Sequence, residues 1–241
     1  MNKKVGKEFR IDPCVFELFP ELVIGAAFLS DIPPQKNWSH ITDLLHKEQQ
    51  RIRLRFRDGK PPDLPAITTW RDAYAAFGAK PKKHTSSVES LYRMTLEGID
   101  LKPVSPVVDL YNLLSLHHMI PMGADDLDYV EGSLRLTRAE GTEIFLPLNS
   151  SQITHPKKGE IIYRDDRDVL CRRWNWREAD KTKLTTNSRR ILLVGEGLPP
   201  VQREKMEAMM DDLREKTGRF LKSRIRMFLL HRDFPAVPLN E

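Results

Sequence analysis

The segment Cys171-Arg172-Arg173-Trp174-Asn175-Trp176-Arg177-Glu178 sets two tryptophans around one asparagine and surrounds them with three arginines. Guanidinium groups grip phosphate or carboxylate oxygens through paired N–H bonds, and both guanidinium and indole planes stack on nucleobases. Arg172, Arg173, Trp174, Asn175, Trp176 and Arg177 are therefore candidate substrate-binding residues, for a base, a phosphate, a carboxylate or an ester carbonyl. The same residue types also suit a tryptophan pair anchoring a turn with its arginines in solvent, and composition leaves the two readings level. Cys171 has arginines beside it, which lower a thiol pKa. The commoner role for a lone cysteine at a strand end is packing, and that is the role expected.

Other chemical signatures are missing. There is no phosphate loop, dinucleotide fingerprint, nucleophile elbow or helical zinc-protease pair. Cys14 and Cys171 have no Cys or His at metal-ligand spacing, and the neighbours His117 and His118 belong to different faces of a helix. No metal and no cofactor is expected. Two cysteines make no disulfide framework, which fits a reducing cytoplasm. No apolar run approaches the ~20 residues that span a bilayer, and no secretory leader is visible. Of 241 residues, 39 are Lys or Arg and 34 are Asp or Glu, a formal charge of +5 that permits a nucleic-acid partner without demanding one.

The elements that must position these residues fall in blocks. Two strands with a turn near Pro20-Glu21 are expected between Phe9 and Ile32, then an amphipathic helix over Ile41–Arg57 with Lys47, Arg51, Arg53, Arg55 and Arg57 outside its apolar side. A proline-rich loop follows over Asp58–Pro65. Short helices open at Thr69 and at Ser86, the second with capping-box spacing to Glu89. Lys80-Pro81-Lys82-Lys83-His84 is a basic loop between them. Another helix is expected over Val107–Met119. From Ser133 the period changes to alternation, with short strands at Ser133–Arg138, Glu143–Leu148, Glu160–Tyr163, Val169–Cys171 and Arg190–Val194. A helix over Val201–Thr217, ended by Gly218, carries Met206, Met209, Met210 and Leu213 as core filler, and a last strand spans Arg224–Leu229. Segregated helices and strands predict an α+β fold in one domain over 1–241.

Several of these segments resemble a known family. Val107-Val108-Asp109-Leu110-Tyr111-Asn112, Pro121-Met122, Asp126-x-Asp128, Leu134-Arg135-Leu136, Glu160-Ile161-Ile162-Tyr163-x-Asp165 and Thr185 to Val194 are similar to the B3/B4 domain of the phenylalanyl-tRNA synthetase β subunit. The resemblance covers about Trp70 to Pro200. The N-terminal hairpin and basic helix within residues 1–69 resemble the additional parts of free-standing B3/B4 proteins, as do Trp70-Arg71, Lys80-Pro81-Lys82 and Arg172 to Arg177. Residues 201–241 form a C-terminal helix and strand of the same domain. The resemblance implies an irregular β-sandwich core of short mixed strands with flanking helices, and a pocket near the end of the Asp109–Asn112 helix. It implies an aminoacylated tRNA 3′ end as partner, with neither membrane nor DNA involved. In the synthetase the domain removes tyrosine wrongly joined to phenylalanine tRNA.

Carried over residue by residue, Asn112 matches the family's pocket asparagine. Gly123 stands where the family has a histidine, and Val194 stands near its glutamate, with Glu196 two positions on. Arg173 to Trp176 replace a small glycine-rich turn. Asn112, Glu196 and Asp109 are thus the candidate catalytic residues: amide donors for the oxyanion, and a carboxylate to orient water. Arg51, Arg55, Lys80, Lys82 and Lys83 are the candidate tRNA-binding residues. Three functions stay open: a trans-editing deacylase of mischarged aminoacyl-tRNA, a non-catalytic RNA or aminoacyl-tRNA binder, and a binder or enzyme for an amino acid or carboxylate.

Overall fold

The computed structural model describes residues 7–56, 64–201 and 203–239. Arg57 and most of the proline-rich loop expected from Asp58 lie outside these described residues. Strand β1 (Glu8–Ile11) is followed by a six-residue helix α1 (Pro13–Leu18) and strand β2 (Val23–Ser30). The first of the two expected strands is corrected here: Val15, Phe16 and Leu18 are helical or at the helix end. Pro13 occupies the first turn, where proline's fixed φ favours a helix and its missing N–H costs nothing. Helices α2 (Ser39–Arg55), α3 (Pro65–Ala76), α4 (Ser87–Leu96) and α5 (Pro106–His118) come next. Ser86 caps α4 by accepting from Glu89 N–H, but Glu89 does not return the bond, because its carboxylate pairs with Arg71 and Arg93.

Strand β3 (Met122–Asp126) has no β-branched or aromatic residue and was not expected from the sequence. Strands β4 (Leu134–Arg138), β5 (Ile161–Arg164), β6 (Val169–Arg172), β7 (Arg177–Glu178) and β8 (Ile191–Gly197) follow. Between β4 and β5, the expected strand over Glu143–Leu148 reduces to isolated bridges, such as Phe145 with Thr154. Helix α6 (Arg203–Lys216) runs on through a π turn (Thr217–Leu221) past Gly218, which therefore does not stop it. Strands β9 (Arg224–Leu230) and β10 (Ala236–Pro238) complete the described chain.

The strands form two sheets, in the order β10-β1-β4-β5-β6-β7 and β3-β8-β2-β9. All neighbours are antiparallel except the β1–β4 pair. Alternation along β2 and β8 divides the interior in two. Ile24, Ala26 and Phe28 of β2, with Leu192 and Val194 of β8, share a core with Phe9, Leu134, Leu136, Ile161 and Leu170 of the other sheet. The opposite face, through Ala27, Leu29, Ile191 and Leu193, packs on Leu110 and Leu114 of α5 and on Met206, Met209 and Met210 of α6. The methionine helix lies close: a Cβ at Gly195 would sit 2.5 Å from Met209 Cε. The result is an α+β sandwich with α5 and α6 against one outer face, while α3 and α4 add Trp70, Tyr74, Val88 and Tyr92 to the core shared by the two sheets. No helix among the described residues is long and apolar enough to cross a membrane.

Candidate functional site

Strand β8 places Glu196 two residues beyond Val194, on the face turned into the sandwich, so an apolar row ends in a carboxyl group. Glu196 is 1% exposed. Its Oε1 accepts from the Tyr163 hydroxyl at 2.6 Å, and its Oε2 accepts from Asn175 Nδ2 at 2.6 Å. Burial pushes the carboxyl up to about 7, against the opposing pull of Tyr163, Asn175 and the nearby Trp174 indole N–H. Asn175 is satisfied on its other side, where Oδ1 accepts from Tyr74 O–H at 2.9 Å and from Ser87 N–H at 3.4 Å. One amide thereby joins α3, the start of α4 and β8. Burial raises both tyrosines well above their usual range, so they act as donors.

Asn175 is delivered by a tight turn between β6 and β7. Arg173 and Trp174 there have φ of 48° and 66°, two consecutive left-handed residues that are not glycine. Trp174 N–H donates to Ile161 O at 2.6 Å. The Trp174 side chain is fully buried against Phe19, Trp70 and Phe77, with ring centroids 4.8, 5.0 and 6.5 Å away. That packing compensates the backbone strain. Arg172 fastens the turn from below with a two-pronged pair to Glu160, at 3.1 and 2.9 Å. Arg177 points outward and donates to Leu148 O at 3.1 Å. Trp176 is half-buried between the His84 ring and the Arg173 guanidinium, each 4.5 Å from it.

These residues surround a small void lined by Gly123, Ala124, Asp125, Tyr163, Cys171, Trp174, Asn175, Glu178, Val194 and Glu196. Its volume is about 10 Å³, the space of one water. Gly123, Ala124 and Glu178 at its rim are half-buried, whereas Tyr163, Asn175 and Glu196 form a buried floor. Gly123 of β3 pairs directly with Val194 of β8. Asp125 is pushed up to about 6 by burial and by the Asp165 and Asp126 charges, with the Thr182 hydroxyl (2.5 Å) opposing. Glu178 is driven well above the usual carboxylate range by burial and by the charges of Asp125 and Glu196. Three carboxyl groups converge and hold protons that isolated ones would lose. Burial pushes the Cys171 thiol up as well, which leaves it a packing residue despite its arginine neighbours.

The other sequence candidates divide. Asp109 is fully buried away from the void, and its Oδ2 accepts from Trp38 Nε1 (3.1 Å) and Thr42 Oγ1 (2.6 Å). Its Oδ1 accepts from Val104 N–H at 3.1 Å, so the carboxylate is committed to α2 and the loop before α5. Asn112 is half-buried on α5 and does not line the void. Trp174 is likewise core rather than an open stacking platform. Arg51 is spent on Glu48, with contacts at 2.9 and 2.5 Å, while Arg55 lies over the Phe56 ring at 5.1 Å. Arg51 and Arg55 share a cleft with His117, His118 and Lys205. Lys80 and Lys83 line a different cleft with Lys157 and Arg173, and Lys82 is exposed beside it.

His117 and His118 do not diverge as their adjacency implies. Their rings meet edge to face at 4.8 Å, and with Asp212 they offer three ligand atoms within 4.8 Å of one another. Lys216 pairs with Asp212, and Arg51 stands 3.5 Å from His117 Nδ1, so cations already face the group. Tyr74, Asp125, Tyr163, Glu178, His84 and Lys157 were not among the sequence candidates. A carboxyl ending the Leu192, Val194 row was the one available signal for the buried cluster.

Three comparisons bear on this architecture. The profile of the B3/4 domain family matches residues 69–223. A curated relative, the phenylalanine–tRNA ligase β subunit of Ruegeria pomeroyi, is 35% identical over 71 residues, 30% of this chain. The chain spans only 9% of that relative's length. Among solved structures, an N-terminal fragment of the phenylalanyl-tRNA synthetase β subunit from Pyrococcus horikoshii aligns over 94% of this chain and 53% of its own. Its TM-score is 0.47 and its identity 14%.

Proposed function

The chain belongs to the B3/4 domain family, and from that premise we propose that it acts on the acylated 3′ end of a tRNA as a deacylase. The observation that carries this reading is Glu196: a carboxyl held at about 7, on the floor of a one-water void whose rim is formed by Gly123, Ala124 and Glu178. A base works best when its pKa lies near the working pH, and 7 meets that condition. Glu196 orients and deprotonates the attacking water. The Asn175 amide and the Tyr163 hydroxyl fix Glu196, and the Tyr74 hydroxyl fixes Asn175 in turn; the buried Trp174 indole N–H, short of a full hydrogen bond, lies near the same carboxyl and favours its charged form. The ester carbonyl approaches over Gly123, between Ala124 and Glu178.

The void holds one water and no side chain, so the ester and its acyl side chain rest at the rim, and specificity differs from a deep tyrosine pocket. Release of amino acid from a panel of mischarged tRNAs, lost in Glu196→Gln, tests this function. Binding without hydrolysis is the second reading, and the small void favours it. Salt-sensitive tRNA binding with no turnover across the panel selects that reading.

A further inference from the structure

A separate cleft opens beside the arginine–tryptophan turn, lined by Gly78, Ala79, Lys80, Lys83, His84, Lys157, Glu160 and Arg173. Its volume of about 220 Å³ is small for a drug-sized molecule, whose pockets begin near ~300 Å³. Four side-chain cations face one carboxylate there. Glu160 is already engaged, by Arg172 at 2.9 Å and by Arg173 Nη2 at 3.2 Å. Lys80, Lys83 and Lys157 are exposed at its edge and are in no ion pair among the described residues.

The informative atom is Arg173 Nη1. The Arg173 side chain is 9% exposed, yet Nη1 is buried without any hydrogen-bond partner. A buried donor on a charged group is costly to leave unmade. His84 Nδ1 is in the same condition, buried and unpartnered. Both lie against Trp176, with the His84 ring and Arg173 Cζ each 4.5 Å from its ring. The turn that holds Arg173 at φ 48° is the strained part of the fold. An unsatisfied guanidinium N–H, an unsatisfied imidazole nitrogen and three free lysines meet in one small cleft.

We propose that this cleft is a phosphate-binding site, in which Arg173 Nη1 and His84 Nδ1 donate to the phosphate oxygens while Lys80, Lys83 and Lys157 supply charge. A phosphate matches this set of donors, whose one carboxylate, Glu160, is already held by Arg172 and Arg173, whereas an apolar ligand finds no partner. Burial lowers the His84 pKa, and Arg173, Arg172 and Lys83 add to that while Glu160 opposes it. A bound phosphate reverses the balance. The phosphate comes either from an RNA backbone, in which case the site rests on the tRNA reading above and anchors the strand beside the Glu196 void, or from a free phosphate or phosphomonoester.

NMR of the His84 imidazole in the full chain tests the site, with inorganic phosphate, a 5′-phosphorylated RNA trinucleotide and sodium chloride at matched ionic strength as probes. Phosphate and the trinucleotide are expected to shift His84 saturably and raise its pKa, and chloride to do neither. Lys83→Glu combined with Lys157→Glu, both exposed positions, should weaken the response by about tenfold or more. A trinucleotide that saturates well below phosphate identifies RNA as the source; the opposite order identifies the free anion, and either supports the site. An absent response to both, a response equal to that of chloride, or one unchanged in the double variant overturns it. Saturable binding in a protein that releases no amino acid keeps this site and removes the hydrolytic reading; hydrolysis without a His84 response does the reverse.

Discussion

Asn175 donates to Glu196 Oε2 at 2.6 Å and so ties the arginine–tryptophan turn to β8 across the interior of the sandwich. Replacing Asn175 by Ala leaves the second Glu196 oxygen and the Tyr74 hydroxyl buried without partners. Each such group costs about 1–3 kcal/mol. Asn175→Ala should therefore lose about 3 kcal/mol in urea unfolding, whereas alanine at exposed Lys82 should change stability by less than about 0.5 kcal/mol.

Stability should fall as pH rises through the range set by Glu196 and Asp125. Their folded pKa values, about 7 and about 6, lie above those of free carboxyl groups. The folded state then binds more protons than the unfolded one between roughly pH 4 and pH 7. This contribution is complete below the unfolded pKa and is lost as pH passes the folded values. Asp165 and Asp212 are shifted downward, and their contribution is lost instead as the solution becomes more acidic. Unfolding free energies at pH 5 and pH 7.5 should show a flatter slope in Glu196→Gln than in the wild type; equal slopes would count against a raised Glu196.

Asp109 separates structure from chemistry. Three donors end on its carboxylate, from Trp38, Thr42 and Val104. Asp109→Ala should cost about 3 kcal/mol or more, since hydrogen bonds to a charged group contribute about 1.5–3 kcal/mol each. The fraction that folds should keep its turnover per molecule, measured at a temperature where the variant is native.

The two arginines of α2 should differ in their effect on tRNA. Arg51 is engaged by Glu48, while Arg55 lies over the Phe56 ring and is in no ion pair among the described residues. Arg55→Ala should weaken tRNA binding and reduce the salt slope by about one. Arg51→Ala should change binding less, because a phosphate would first have to displace Glu48. Binding isotherms at two salt concentrations distinguish them.

The residues with the most distinctive chemistry were readable in the sequence, but their partners were not. Two tryptophans and three arginines in one turn mark Asn175, yet its bonds reach Tyr74 and Glu196, 101 and 21 positions away. Glu196 emerged through the resemblance, two positions beyond the place of the family's glutamate near Val194. Asp125 and Glu178 did not, because their proximity exists only once β3 and β7 are placed in different sheets. Asp109 sits in a family-like helix start, but its charge is claimed by Trp38 and Thr42, which lie outside the matched segment. The blocks of helix and strand were clear where periodicity ran long, as in α2 and β8. Helix α1 was not, since six apolar-rich residues show no period, and β3 owes its strand to pairing with β8 rather than to its own composition.

The deacylation panel, run with wild type and Glu196→Gln side by side, tests the central claim most directly. At least one mischarged tRNA should lose its amino acid faster with the wild type than in buffer. Glu196→Gln, which keeps the shape of the site and removes the base, should lower that rate by about 100-fold or more. Hydrolysis of every substrate at the buffer rate, or full activity in Glu196→Gln, would contradict it.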